Sequence, residues 1–243
     1  MPYFLDIVET IPQGVGFPAF GALHLTWLAV FLIAAVLCCI FYRRMDAAKR
    51  TRFRRVMAVL LVLDELYMHA GLLLGGWHPV TYLPLHLCSI NIFLIAIHAW
   101  KSSKLLDNFL YLICIPAAMA ALLFPSWTAL PLGNFMHWHS FTVHILLVLY
   151  PLVLTVGGDI RPQRRMILPA LLLLAGMAVP ILLFNIAFDT NYMFLMYADP
   201  GNPLYFFQQA WGSHLYGYPI LIGAVLAVMY LPMHLMEKHR SKN

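Results

Sequence analysis

Seven stretches of this chain, near residues 21–42, 54–76, 83–100, 105–124, 136–157, 164–187 and 214–236, are apolar at almost every position. Each is about 20 residues long, and as a helix rising 1.5 Å per residue it matches a hydrocarbon core roughly 30 Å thick. Composition points the same way: 62% of the 243 residues are hydrophobic, 10% are charged, and mean hydropathy is +0.79, well beyond a soluble domain of this size. The expected fold is an all-α integral membrane protein, a seven-transmembrane-helix bundle forming one domain over residues 1–243. Pro116, Pro151, Pro169, Pro180, Pro219 and Pro232 fall within the runs, where kinks are expected.

Charge sets the orientation, because short cytoplasmic loops collect Lys and Arg. Arg43, Arg44, Lys49, Arg50, Arg52, Arg54 and Arg55 join the first two runs, Lys101 and Lys104 the third and fourth, and Arg161, Arg164 and Arg165 the fifth and sixth. Lys238, Arg240 and Lys242 follow the last, so all 15 basic residues fall on one side. This requires an odd number of spans, with the N-terminus outside and the C-terminus cytoplasmic. The net charge of +5 is then a topology signal and calls for no nucleic acid. Residues 1–20 carry Asp6, Glu9 and two prolines but no basic stretch, so a cleavable signal peptide is not expected. Residues 188–213 form the one long loop, read as an outer lid or a re-entrant segment.

Cys38, Cys39, Cys88 and Cys114 all lie within expected spans, which implies no disulfide framework. Ionisable groups in lipid cost roughly 2.5 kcal/mol or more and usually mark a cavity. With the orientation above, His24, His86, Cys88, His137, His139, His144, His214 and Asn185 fall in the outer half of the bundle, with His69 nearby and Asp64 and Glu65 near mid-depth. Residues three, four or seven apart share a helix face. Glu65 with His69, Cys88 with Asn91, and His137 with His144 are so spaced. His86 stands about 200° around the helix from Cys88, so the two are not expected to form a dyad. His98, His234 and His239, near the inner ends, read as packing or hydrogen-bonding residues, and His24 and His214 as interfacial ones.

Such a cavity suits three chemistries. A thiol nucleophile would be Cys88, with His144 as first and His137 as second candidate for its base; Pro84 fits the start of the helix carrying the thiol. A zinc hydrolase would draw on His69, His137, His139 or His144 with Asp64 or Glu65. Third, the cavity could bind or pass a lipid or small solute without chemistry. Retinal is dismissed, since no span holds a lysine for a Schiff base.

Four segments, "FPAFGALHL" at 17–25, "LPLHLCSIN" at 83–91, "HSFTVHILLVLYPL" at 139–152 and "TNYMFLMYADPGNPL" at 190–204, resemble the YwaF-type bacterial membrane proteins and their animal counterpart, transmembrane protein 164. That resemblance implies a cysteine-dependent acyltransferase moving a fatty acyl chain between phospholipids, without a cofactor or metal, in the bacterial inner membrane. Cys88 would be its nucleophile and His144, by spacing, its base. Asn91 or a backbone amide would hold the oxyanion, and Glu65 or Asp64 would orient the histidine. His69, His86, His137, His139, Asn185 and Tyr192 would line a substrate cavity opening toward the outer leaflet. Before the last run "QQAWGSHLYGYP" stands where the family's "GPWPWY"-like stretch is expected, which bears on the substrate more than on the fold.

Overall fold

The computed structural model describes residues 2–77, 80–200 and 202–240, with backbone alone for 81, 232, 233 and 235–240. The expectations for Pro232, Lys238, His239, Arg240 and Lys242 therefore lie outside the described side chains.

The described residues are helical throughout, without strands: α1 (Ala22–Arg43), α2 (Ala47–Leu74), α3 (Leu87–Trp100), α4 (Lys104–Leu123), α5 (Phe135–Val156), α6 (Ile167–Phe188), α7 (Pro203–Trp211) and α8 (Gly217–Arg240). Six of these are long and apolar enough to cross a membrane, and α3 is apolar but shorter, at 14 residues. The chain is thus an integral membrane protein with six candidate spanning helices among the described residues.

The third expected span, 83–100, is only partly helical. Residues 80–82 form a 3-10 turn, and the Leu83 amide donates to the Tyr192 hydroxyl at 2.7 Å, so helix begins only after His86. At the other end of α2 the helix reaches back to Ala47 and takes in the arginines. There Asp46 caps it by accepting from the Lys49 amide at 2.9 Å.

Proline leaves two local marks. A residue without N–H frees the carbonyl four positions earlier. Before Pro116, α4 widens into a π-helical turn at Leu110–Cys114, in which the Ile115 amide bonds Leu110 O. Pro151 in α5 frees the carbonyl of Leu147, and the Cys114 thiol takes it at 3.5 Å, which gives this buried cysteine a structural task.

Helix α5 forms the axis. It is 67% buried over its apolar window, against 39% for α2 and 11% for α1, α6 and α8, and it packs against α1, α2, α3 and α4. The exposed faces of α1 and α6 carry Leu, Ile and Val, as lipid contact requires. Gly71 admits Phe135 of α5: a Cβ there would lie 2.2 Å from its ring.

The end of the bundle where α3 and α5 begin is covered. Asn134, which caps α5, donates to Tyr3 O and Asp6 O at 2.7 and 2.8 Å, and Trp77 donates to Leu5 O at 2.8 Å. The Phe17 amide bonds Thr128 O, and Gly16 lies so close that a Cβ would stand 1.9 Å from that same oxygen. The N-terminal segment is thereby laced across the ends of α2 and α5, with Ile7, Ile11 and Phe17 buried.

Candidate active site

Cys88 lies in the first turn of α3 and His144 in the third turn of α5, and the structure brings His144 Nε2 within 3.1 Å of the Cys88 sulfur. The other ring nitrogen, Nδ1, is 2.6 Å from the backbone carbonyl of Ser140, one helical turn earlier. A carbonyl only accepts, so Nδ1 carries the proton and Nε2 presents its lone pair to the thiol. A histidine of this tautomer on a thiol is the arrangement that accepts a proton from a nucleophile. The indole of Trp127 lies flat on the imidazole, with ring centroids 5.0 Å apart and planes 13° from parallel, and fixes its orientation. Cys88 keeps partial exposure, whereas His144 is buried.

The ring is therefore oriented by Ser140 O, where a carboxylate was expected. Glu65 and Asp64 instead flank His139: Nδ1 is 3.2 Å from both Asp64 O and Asp64 Oδ2, and Nε2 is 3.9 Å from Glu65 Oε2. Thr142 donates to the remaining Asp64 oxygen at 2.9 Å. This correction follows from helix geometry: a histidine reaches the carbonyl four residues back within its own helix, at no cost in tertiary placement.

Buried polar atoms nearly always find partners, so those that do not are informative. Glu65 is 6% exposed and neither carboxylate oxygen has a hydrogen-bond partner among the described residues. Asn91, one turn after Cys88 on the same face, is fully buried with both amide atoms unpartnered, and so is Trp127 Nε1. The layer around the thiol thus holds donors and acceptors without a hydrogen-bond partner among the described residues.

Other expected cavity residues are spoken for. His137 accepts from Trp27 Nε1 at 3.0 Å and donates to Leu130 O at 3.0 Å, which ties α1 and the α4–α5 loop to α5. His69 donates to Glu65 O at 2.9 Å, so its ring follows its own helix. Asn185 bonds Thr190 Oγ1 at 2.8 Å and both the amide and the carbonyl of Tyr192 at 2.9 Å, and so knots the turn after α6. Tyr192, 1% exposed, reaches Leu83 N and Val80 O, and burial pushes its phenol up to about 12, leaving it neutral. His86 stands at the N-cap position of α3 beneath this turn, with its ring 4.9 Å from that of Tyr192 and its Nδ1 3.4 Å from the Met193 amide. The loop 188–213 is thus partly a roof over the start of α3, and the rest of it carries the short helix α7.

His24 is fully buried within the protein, accepting from Phe20 N at 2.8 Å while Nε2 meets Leu122 O at 2.7 Å. His214 is likewise buried, because the turn before α8 folds inward. His98 bonds Tyr150 Oη and Asp107 Oδ1, each at 2.8 Å, and joins α3, α4 and α5. Among the described residues no three histidines, cysteines or carboxylates converge as metal ligands would, so the donors of a zinc site are not assembled. Sequence reasoning missed Ser140 and Trp127. The first was open to the four-residue spacing from His144, whereas the loop tryptophan gave no periodic signal.

No curated protein and no solved structure matches this chain. A profile of the TMEM164 family matches residues 19–230, a range that includes Cys88, His144 and the helices packed around them, and the chain belongs to that family.

Proposed function

We propose that the protein is a membrane-embedded acyltransferase that moves a fatty acyl chain between phospholipids through a thioester on Cys88. The observation that carries this reading is the 3.1 Å approach of His144 Nε2 to the Cys88 sulfur, with the opposite nitrogen held by Ser140 O. In the first half-reaction Cys88 Sγ passes its proton to Nε2 and attacks the ester carbonyl of the donor. The carbon–oxygen ester bond breaks, the leaving alcohol takes the proton from His144, and a thioester remains. In the second, the acceptor hydroxyl gives its proton to Nε2 and attacks the thioester. The carbon–sulfur bond breaks, and the thiolate recovers the proton from His144. The unpartnered Asn91 amide supplies a donor for the oxyanion of both tetrahedral intermediates. Asp64 and Glu65 flank the His139 ring beside this layer, with Asp64 Oδ2 3.2 Å from Nδ1 and Glu65 Oε2 3.9 Å from Nε2. No cofactor or metal enters any step.

The test is labelling of the purified protein in detergent with a hydrophobic acyl-chain electrophile. Cys88 should react well ahead of Cys38, Cys39 and Cys114, whereas equal labelling of all four would favour a binder or transporter of lipid or small solutes.

The reading extends to placement. Helix α3 with the chain leading into it serves as a seventh crossing of one domain, the N-terminus is external, and the site opens to the outer leaflet of a bacterial inner membrane. It is supported by the segregation of basic residues onto one side. A reporter after residue 243 should read cytoplasmic and a tag before residue 20 external; an even number of crossings would defeat this placement.

A further inference from the structure

Toward the start of α2, away from Glu65, the helix start, the α1–α2 turn and the chain after α5 border an open hollow of about 410 Å³, lined by Met45, Ala47, Arg50, Thr51, Arg54 and Asp159. The two arginines stand in different situations. Arg50 is engaged: Nη1 lies 3.3 Å from Asp159 Oδ1 and donates to Gly157 O at 2.9 Å, Nε donates to Met45 O at 3.1 Å, and the guanidinium lies 5.0 Å over the Tyr42 ring. The Tyr42 hydroxyl donates to the second Asp159 oxygen, so the one carboxylate in the lining is used on both sides. Gly157 allows this, because a Cβ there would lie 2.6 Å from the Tyr42 ring.

Arg54 has no carboxylate partner among the described residues. It is half-buried, its Nε is buried without an acceptor, and its Nη2 donates to Thr51 Oγ1 at a long 3.5 Å. Taking a guanidinium partly out of water without a counter-charge is costly, and the cost falls when an anion fills the fork. With Asp159 committed to Arg50, the lining carries two cations against one anion. The Thr51 hydroxyl is already used, donating to Ala47 O at 2.9 Å, so the guanidinium of Arg54 is the group left to meet an anion, and the hollow is several times larger than a phosphate group needs. A planar guanidinium suits the oxygen geometry of a phosphate, and basic pockets between helices at the charged face of a membrane protein accept lipid head groups.

We propose that this hollow is a phosphate-binding site, in which the Arg54 guanidinium holds the phosphate oxygens and Arg50, fixed by Asp159, supplies the second positive charge. The phosphate belongs to an anionic phospholipid head group or is free in solution. The site lies at the other end of the bundle from Cys88, and its occupation does not rest on acyl transfer.

The test is the unfolding temperature of the purified full chain in detergent, titrated with phosphatidylglycerol in one arm and inorganic phosphate in the other. Wild type should be stabilised, and Arg54→Gln should require about tenfold or more of the same probe for an equal shift. Arg54→Lys keeps the charge but loses the fork and should fall between, which keeps the test open if Arg54→Gln folds poorly. Arg52→Gln, two residues away and exposed, should titrate as wild type does. A response to phosphatidylglycerol alone assigns the lipid as the source, and a response to inorganic phosphate as well assigns the phosphate group itself; both support the site. No response to either probe, an unchanged titration in the Arg54 variants, or an equal loss in Arg52→Gln overturns it.

Discussion

Replacing Cys88 by serine should abolish acyl exchange between phospholipids, lowering it by roughly three orders of magnitude or more, while the protein still folds. The swap exchanges one small side chain for another at a partly exposed position, so packing changes little. What changes is the nucleophile: an alcohol beside a neutral imidazole is a far weaker one than a thiol that can pass its proton to the same ring. The measurement is lipid acyl exchange by purified wild type and Cys88→Ser, with metal content determined on both. A hydrolase working through a metal-bound water would keep its activity in the mutant and show stoichiometric zinc. The absence of a converging ligand set among the described residues argues for the first outcome, and His137 already spends both ring nitrogens, on Leu130 O and on Trp27 Nε1.

The placement of Cys88 and His144 in one layer was legible before any coordinates, because two simple regularities combine. The segregation of basic residues gives every helix a direction, and the rise per residue then gives every side chain a depth. Depth, however, is one coordinate of three. Cys88 and His144 are 56 positions apart, with the rest of α3, all of α4 and the start of α5 between them, and nothing periodic says which faces meet. Depth alone also cannot separate a histidine facing a cavity from one bonded to a loop. His137 and His144 share a face of α5 at a spacing of seven, yet the carbonyl of Leu130 and the indole of Trp27 consume the first while the thiol engages the second.

Irregular segments were the least legible for the same reason. Asn185 and Tyr192 read as cavity residues because polar groups near lipid usually are. The structure uses them to satisfy the backbone of the turn after α6 and of residues 80–83, where regular helix has ended and free amides need partners. The late start of α3 belongs to the same arrangement. Similarly, residues 2–17 offer no helical period, but their carbonyls are what Asn134 and Trp77 bond. The covered end of the bundle is therefore built from segments whose function is to receive hydrogen bonds, and composition does not announce that.

His144→Ala should slow acyl-electrophile labelling of Cys88 by about 10²- to 10⁴-fold, the range that a positioned general base contributes. The size of the effect separates this residue from its neighbours. His137→Ala removes two hydrogen bonds that tie α1 and a loop to α5, so it should lower the unfolding temperature while the thiol of the folded fraction reacts as before. Loss of His144 falls on the thiol first: its Nδ1 bond is to a carbonyl of its own helix, and its tertiary contacts are the Cys88 sulfur and the stacked Trp127 ring. Dependence on pH supplies a second readout that misfolding would not imitate. In His144→Ala the residual labelling should climb about tenfold per pH unit, as for a thiol that must lose its proton to water. Wild type should react over the neutral range with a shallower slope, because Nε2 takes the proton locally. Labelling of His144→Ala at the wild-type rate and slope would remove the base from the mechanism and leave Cys88 as a packed thiol in a lipid-binding protein.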